Sequence, residues 1–493
     1  MEILILGWYV LVETGSVLLL TAFGSLQWAG TFFSPMYGVV GDRIGHRRLL
    51  CLMRPFYAAQ AAALLLLALT GLLSALYVFL VSAAAFGTQW PCHRALNFFL
   101  HAAAVIVAFA FFRRVVAATA GTPARIASGW TAFAAAALFA LHPAAVYAVA
   151  YLSARHVLLL GLFGLVALWS TARVLQDGAR IGWVLGPASV ALALACGPAA
   201  LGIPVAMAFL AFALPARGCA ERRRAWLVIA VAAAVALAYA ASWVISGTAS
   251  DTGATGYADA LAAACTRLLR YLGFWLVPWT GRMAIDLPEP AIALGRLWPG
   301  WLGIAGVATL IVLTVVLLRA RGNGLVRAAA IGLGCTLALE LAAILWPRLA
   351  APFALTRSYA GMPYVVLVPA CLAALLPVRA AWVAGCALLL VWMVTAADTL
   401  QTFSSHVALW DDAVRRAERA GPQPQDARIY LNRATVHRHD GHSLAALADY
   451  DKALELQPDM TRALRGRAQV FVDEKRYGEA LRPAPATWIG YLS

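Results

Sequence analysis

Residues 224–246 read RAWLVIAVAAAVALAYAASWVIS. One arginine opens the stretch, and no other ionisable group follows except Tyr239. About 20 apolar residues are enough to cross the roughly 30 Å hydrocarbon core of a bilayer. The arginines Arg222, Arg223 and Arg224 stand at its start, where the positive-inside rule places cytoplasmic cations. This stretch therefore reads as a transmembrane helix with its orientation marked.

The same reading extends outward in both directions. The chain has 493 residues, of which 62% are hydrophobic and 12% charged, against about 25% charged for a soluble domain. Candidate spans are 17–40, 50–72, 75–90, 95–112, 127–147, 157–173, 181–196, 198–215, 224–246, 299–318, 325–345, 359–376 and 380–398. The expected fold is all-α, a polytopic transmembrane bundle of about 12–13 spans. TRLLRYLGFWLVP, 266–278, carries two arginines and reads as an interfacial or re-entrant helix. Met1 enters an apolar stretch without a basic start or a small-residue cleavage site, so no cleavable signal peptide is expected.

Thirty-eight Lys+Arg against 23 Asp+Glu give a formal charge of +15. In a soluble protein that balance would suggest nucleic acid. Between apolar spans the arginines set sidedness instead, and no nucleic-acid partner is expected. Arg113, Arg114, Arg125, Arg173, Arg180, Arg217, Arg319, Arg321, Arg327 and Arg379 fall on the same side as 222–224 if 247–298 is one outer segment. The outer side then holds 148–156, 247–298, 346–358 and everything after 398. Eight cysteines form no CxxC pair, and they read as small buried hydrophobes rather than metal or disulfide sites.

After about 398 the composition turns polar. In DARIYLNRATVHRHDGHSLAALADYDKALELQPD, 426–459, Tyr430, Ala434, Ala446, Tyr450, Ala453 and Pro458 hold the places of a 34-residue helix-turn-helix (TPR) signature. Small alanines let two helices approach, Tyr450 fills the gap between them, and Pro458 ends the second helix. One clear repeat covers 427–460. A second begins at 461, with Leu464, Ala468, Phe471 and Ala480 in register, and breaks at Pro483 and Pro485. Residues 405–424 read as the second helix of a preceding, degenerate repeat. The tail segment is thus 399–482, followed by an aberrant 483–493.

Two resemblances attach to different parts of the chain. GVVGDRIGHRRLL, 38–50, resembles the loop between the second and third helices of major facilitator superfamily transporters, with Gly38, Asp42, Arg43, Gly45 and Arg47 matching Gly-x-x-x-Asp-Arg-x-Gly-x-Arg. That resemblance covers 1–88 and implies a cytoplasmic loop.

From 89 to 482 the chain resembles bacterial relatives of the transmembrane-and-TPR mannosyltransferases, of the GT-C class. The blocks that carry it are WPCHRALNFFLHAAAVIVAFAFFRRV, LHPAAVYAVAYLSARHVLLLGLFGLVALW, GPAALGIPVAMAFLAFAL, RYLGFWLVPW and RSYAGMPYV, in that order. The resemblance implies a GT-C-like membrane domain over 89–398 that takes sugar from a polyprenyl phosphate on the outer face. An outer-loop carboxylate would act as base or hold a divalent metal, and cations would grip the carrier phosphate. It also implies a bacterial inner membrane location, the bilayer as surroundings, the TPR segment on the periplasmic side, and a protein or peptide as that segment's partner.

The acidic motif of the family precedes the block near Pro91, where this chain carries transporter-like sequence instead. Val157 stands where the family has an acid, Gly197 where it often has lysine, and the arginine near Tyr359 and Pro363 is displaced to Arg357. The implied enzyme is therefore catalytically impaired, and no catalytic residue is assigned.

Arg155, His156, Arg282 and Arg357 are the carrier-phosphate candidates, with interfacial anchoring the other reading for Arg155 and His156. His142 reads as a structural histidine. Asp251, Asp259, Asp286 and Glu289 read as solvated carboxylates, with a substitute base as the alternative. Tyr271, Trp275 and Trp279 read as an aromatic belt.

The two parts also disagree in topology. If every span crosses, the transporter loop leaves residue 91 inside, whereas 95–112 must start outside to end at Arg113 and Arg114. Such a conflict points to a fusion of two gene fragments. Two alternatives stay open beside the transferase: a transporter-derived fusion, and a non-catalytic membrane scaffold that uses the TPR segment.

Overall fold

A computed structural model describes residues 90–119, 125–151, 154–245, 257–279, 283–285, 298–320, 323–345 and 354–480. The transporter-like fragment 1–88 with its loop motif, Asp251, Arg282, Asp286, Glu289 and the tail 483–493 lie outside the described residues. Among those described, the regular structure is entirely helical. The chain divides into two units, 1–111 with 152–251, and 112–151 with 252–493.

In the first unit α1 (Trp90–Thr119) belongs up to Phe111. α4 (Arg155–Asp177), α5 (Gly182–Cys196), α6 (Ile203–Ala213) and α7 (Cys219–Ile245) pack on one another, α4 against α5 most extensively. α4 ends at Gly178, whose left-handed φ of 65° lets its N–H reach the Val174 carbonyl at 3.2 Å. The sharp turn into α5 brings Gly182 so close to α4 that a side chain there would strike Val174 and the Ser170 carbonyl.

In the second unit α2 (Arg125–Ala140) and α3 (Pro143–Ala150) form one apolar stretch bent by 53°. The expected span 127–147 is therefore broken. Pro143 has no N–H to give and disfavours helical backbone before it, so the helix restarts there. α8 (Tyr257–Leu276) packs on α9 (Trp298–Arg319), and α9 on α10 (Gly324–Leu345). α8 begins earlier than the expected 266–278 segment.

The expected span 359–376 is also divided, into a 3₁₀ turn Leu355–Ala360, α11 (Met362–Val365) and α12 (Leu367–Ala373). Pro363 and Pro369 each remove a backbone donor from what would be a continuous helix. α13 (Val378–Thr402) follows.

Five described helices are long and apolar enough to cross a membrane: α1 from His93, α4, α7 to Ser242, α9 from Trp301, and α13. The bent α2–α3 pair would make a sixth. The expected 12–13 spans are not reached among the described residues, partly because α5 and the 198–213 segment form only short apolar helices. α9 and α13 show most of their apolar surface, with Val312, Val383, Leu390 and Val394 more than half exposed. Water would penalise so large a contiguous apolar surface, whereas lipid accepts it.

The polar tail forms α14 (His406–Ala420), α15 (Ala427–His439), α16 (Ser443–Leu456), α17 (Thr461–Asp473) and the short α18 (Tyr477–Ala480), each packed on its neighbour. Ala434, Ala446 and Ala453 are fully buried, and Tyr430 and Tyr450 nearly so. α16 ends at Leu456, two residues before the exposed Pro458. Arg433 of α15 grips Asp449 of α16 through Nε and Nη2 at 2.8 and 2.7 Å, and reaches Asp411 of α14 through Nη1 at 3.1 Å. Those two carboxylates raise the pKa of its guanidinium above the ordinary arginine value.

Candidate functional site

α1 carries a polar stripe at four-residue spacing: His93, Asn97 and His101. Positions i, i+4 and i+8 lie on one helix face. All three are buried, while Phe98 and Phe99 beside them are exposed. In the first unit that face meets Arg155, the first residue of α4, which is 3% exposed.

Arg155 Nε donates to Asn97 Oδ1 at 2.9 Å. Its Nη2 lies 3.2 Å from His93 Nδ1 and donates to the His93 carbonyl at 3.3 Å. Nη1 is buried and has no partner among the described residues. A cation at a helix N-terminus opposes the helix dipole. The N-cap residue, Ala154, supplies no side-chain acceptor either. A buried guanidinium whose Nη1 has no partner among the described residues is a donor that an anionic oxygen would satisfy.

The other sequence candidates separate. His156 is half-buried. Val157, at the place of an expected acid, is packed inside. Gly197 has φ 156° and closes α5 through N–H bonds to Ala193 and Leu194. Arg357 stands exposed on the 3₁₀ turn of the second unit.

His142 is structural. Its Nδ1 accepts the Ala144 N–H at 3.1 Å, capping α3. Nε2 must then carry the proton of the neutral ring, and it donates to the Trp275 carbonyl at 2.9 Å. The aromatic-belt reading of α8 needs correction. Trp275 is fully buried and stacks on the buried Tyr271 at 5.8 Å and 17°. Both belong to the interior of their unit, and only Trp279 is exposed as a belt residue would be.

Two residues of the Arg155 site, His93 and Asn97, went unassigned from sequence, as did His101 further along the same helix face. Their spacing was a signal, since the first part of a largely apolar helix repeats a polar group every fourth position. A fourth missed residue is Glu340 of α10, an acid inside the apolar run CTLALELAAIL, 335–345. An ionisable group within a span marks a functional candidate by itself. Among the described residues, no three His, Cys, Asp or Glu side chains gather as metal ligands.

No family model, curated protein or solved structure matches this chain.

Proposed function

We propose that this chain is an integral membrane protein of lipid-linked sugar chemistry, a catalytically impaired relative of the GT-C glycosyltransferases with a C-terminal TPR segment. The observation that carries the reading is Arg155. Among the described residues its buried Nη1 has no partner, at the start of a helix long and apolar enough to cross a membrane, which suits the phosphate of a polyprenyl carrier. The order of sequence blocks from 89 to 482 supports the same reading. The absence of the acidic motif from the sequence argues for impaired transfer, with the phosphate site retained.

The bacterial inner membrane, with the tail on the periplasmic side, is part of this proposal. The sidedness rests on the arginine-rich loops of the sequence, and the location on the resemblance of 89–482. The tail supports a second reading, a scaffold that binds a peptide or protein. Three successive helices there pack through buried alanines and Tyr450. A major facilitator origin for 1–88 rests on the loop motif alone.

The test is reconstitution into vesicles with a polyprenyl-phosphate sugar. The protein should retain the lipid and turn it over slowly or not at all, and Arg155→Met should abolish retention. Lipid retention equal in both proteins would overturn the reading. Turnover at ordinary enzymatic rates would overturn the impairment.

A further inference from the structure

We propose that the corner between Trp130 and Trp382 holds the quaternary ammonium of a phospholipid headgroup, with Arg379 on its phosphate and its acyl chains laid along α13. This inference does not rest on the transferase reading, because it uses neither Arg155 nor sugar transfer. All of its residues belong to the second unit.

Trp130 stands in the second turn of α2, and Trp382 in the second turn of α13. Phe133 follows Trp130 by three residues, and Arg379 precedes Trp382 by three, so each pair shares a helix face. The fold brings the two helix starts to one level. The Trp130 and Trp382 ring centroids lie 5.4 Å apart with their planes at 67°, and Phe133 meets Trp130 at 6.1 Å and 87°. Rings so steeply inclined, edge to face, make a corner rather than a stack.

That corner is open. Trp130 is 55% exposed, Trp382 53% and Phe133 56%, whereas Trp275 and Trp392 of the same unit are buried. A tryptophan that only anchors a helix at the membrane interface needs no second ring. Here two indoles meet across two helices, and each keeps about half its surface uncovered.

Ring chemistry selects the ligand. An aromatic face attracts a cation within about 6 Å of its centroid, and indole does so best. With the centroids 5.4 Å apart, one cation can lie within that range of both. A primary ammonium carries N–H donors that need acceptors once water is removed. α2 has no acidic residue, and α13 has none before Asp398. A quaternary ammonium donates no hydrogen bond, so ring faces alone can hold it.

Arg379 supplies the complementary charge. It is exposed and forms no ion pair among the described residues, and its guanidinium suits a phosphodiester. A cation corner beside a free arginine matches a zwitterionic headgroup. The surface beyond the corner makes the source a lipid. Trp382, Cys386, Leu390 and Val394 recur at every fourth position, hence on one face, and all four are exposed. α13 is long and apolar enough to cross a membrane, so this stripe runs from the corner into acyl-chain depth.

The test is lipid retention, by native mass spectrometry of the full chain from nanodiscs of defined composition. Phosphatidylcholine is compared with phosphatidyl-3,3-dimethylbutanol, in which carbon replaces the nitrogen and the shape is kept. The wild type should retain phosphatidylcholine about tenfold better, a difference that corresponds to about 1.4 kcal/mol. Trp382→Leu should bring the two lipids to within about twofold. Trp382→Phe keeps a ring face and should hold the preference at about fivefold. Both variants change an exposed side chain, so both should fold. Arg379→Gln should weaken both lipids by about threefold and keep the preference between them.

A loss of both lipids alike in Trp382→Leu, with their ratio unchanged, would make the indoles interfacial anchors and overturn the site. Equal retention of the two lipids by the wild type would do the same. Phosphatidylethanolamine held as well as phosphatidylcholine would overturn the assignment to a quaternary ammonium. Phosphocholine in solution at high excess should fail to compete, and effective competition would overturn the assignment to lipid.

Discussion

Arg155 Nε donates to Asn97 Oδ1 at 2.9 Å, linking residues 58 apart in sequence inside one unit. Both side chains are buried, so neither can turn to water if the other is removed. Asn97→Leu should therefore leave a charged donor stranded and cost about 2–3 kcal/mol, read as a lower unfolding temperature in detergent. Asn97→Asp keeps an acceptor in place and should lose much less. Equal losses in the two variants would show that the bond contributes little.

The His142 ring couples two elements of the second unit, capping α3 and holding the end of α8 through the Trp275 carbonyl. His142→Leu removes both bonds and leaves a buried N–H and a buried carbonyl without partners. The expected cost is about 2–4 kcal/mol. His142→Asn offers the cap oxygen but is too short for Trp275, and it should recover about 1 kcal/mol of that loss. Chemical unfolding in mixed micelles measures both.

How much of this was legible in sequence differs from residue to residue. The apolar runs announced helices in lipid, because span length is a property of composition alone. The breaks at Pro143 and around Pro363 were equally legible, since proline removes a backbone donor wherever it stands. Both were nevertheless absorbed into single spans, because hydropathy over a long window is insensitive to one missing N–H. The stripe His93–Asn97–His101 was readable as spacing. Its partner was not, because pairing across 58 residues is a matter of packing. Trp275 looked like a belt residue together with Tyr271 and Trp279. Only packing against Tyr271 and Gly361 shows it to be interior.

At Gly361 the steric argument gives a direct prediction. A methyl group there meets both the Trp275 ring and the Glu340 carboxylate. Gly361→Ala should destabilise by about 1–3 kcal/mol through overpacking. Glu340→Ala removes one of the two obstacles. The double variant should therefore be more stable than the sum of the single losses, by more than about 0.5 kcal/mol. Strict additivity would mean that Trp275 alone sets the clash.

In the tail, Gly466 of α17 lies against the Tyr450 ring, and a Cβ at 466 would enter that ring. Gly466→Ala should force α17 away from α16 and cost about 1–3 kcal/mol, despite the higher helix propensity of alanine. Limited proteolysis should then cut between α16 and α17 faster than in the wild type. Tyr450→Leu with Gly466→Ala should restore part of the resistance, because the smaller side chain leaves room for the methyl.

The pH response of the tail follows from His439 near the end of α15. Partial desolvation, and then the Arg438 charge, lower its pKa below the ordinary 6.5. When the tail unfolds, the ring regains an ordinary affinity for protons. Between the two pKa values the unfolded state binds more protons than the folded one, so stability must fall as pH falls through this window. Above about pH 7 both states are neutral at this ring, and the contribution is flat. Amide exchange of α15 in the full chain should therefore quicken from pH 7 toward pH 5.5, once intrinsic exchange rates are corrected. His439→Gln cannot take the proton and should flatten that dependence, whereas Arg438→Gln should weaken it by raising the folded-state pKa. A slope unchanged in His439→Gln would assign the response to another group.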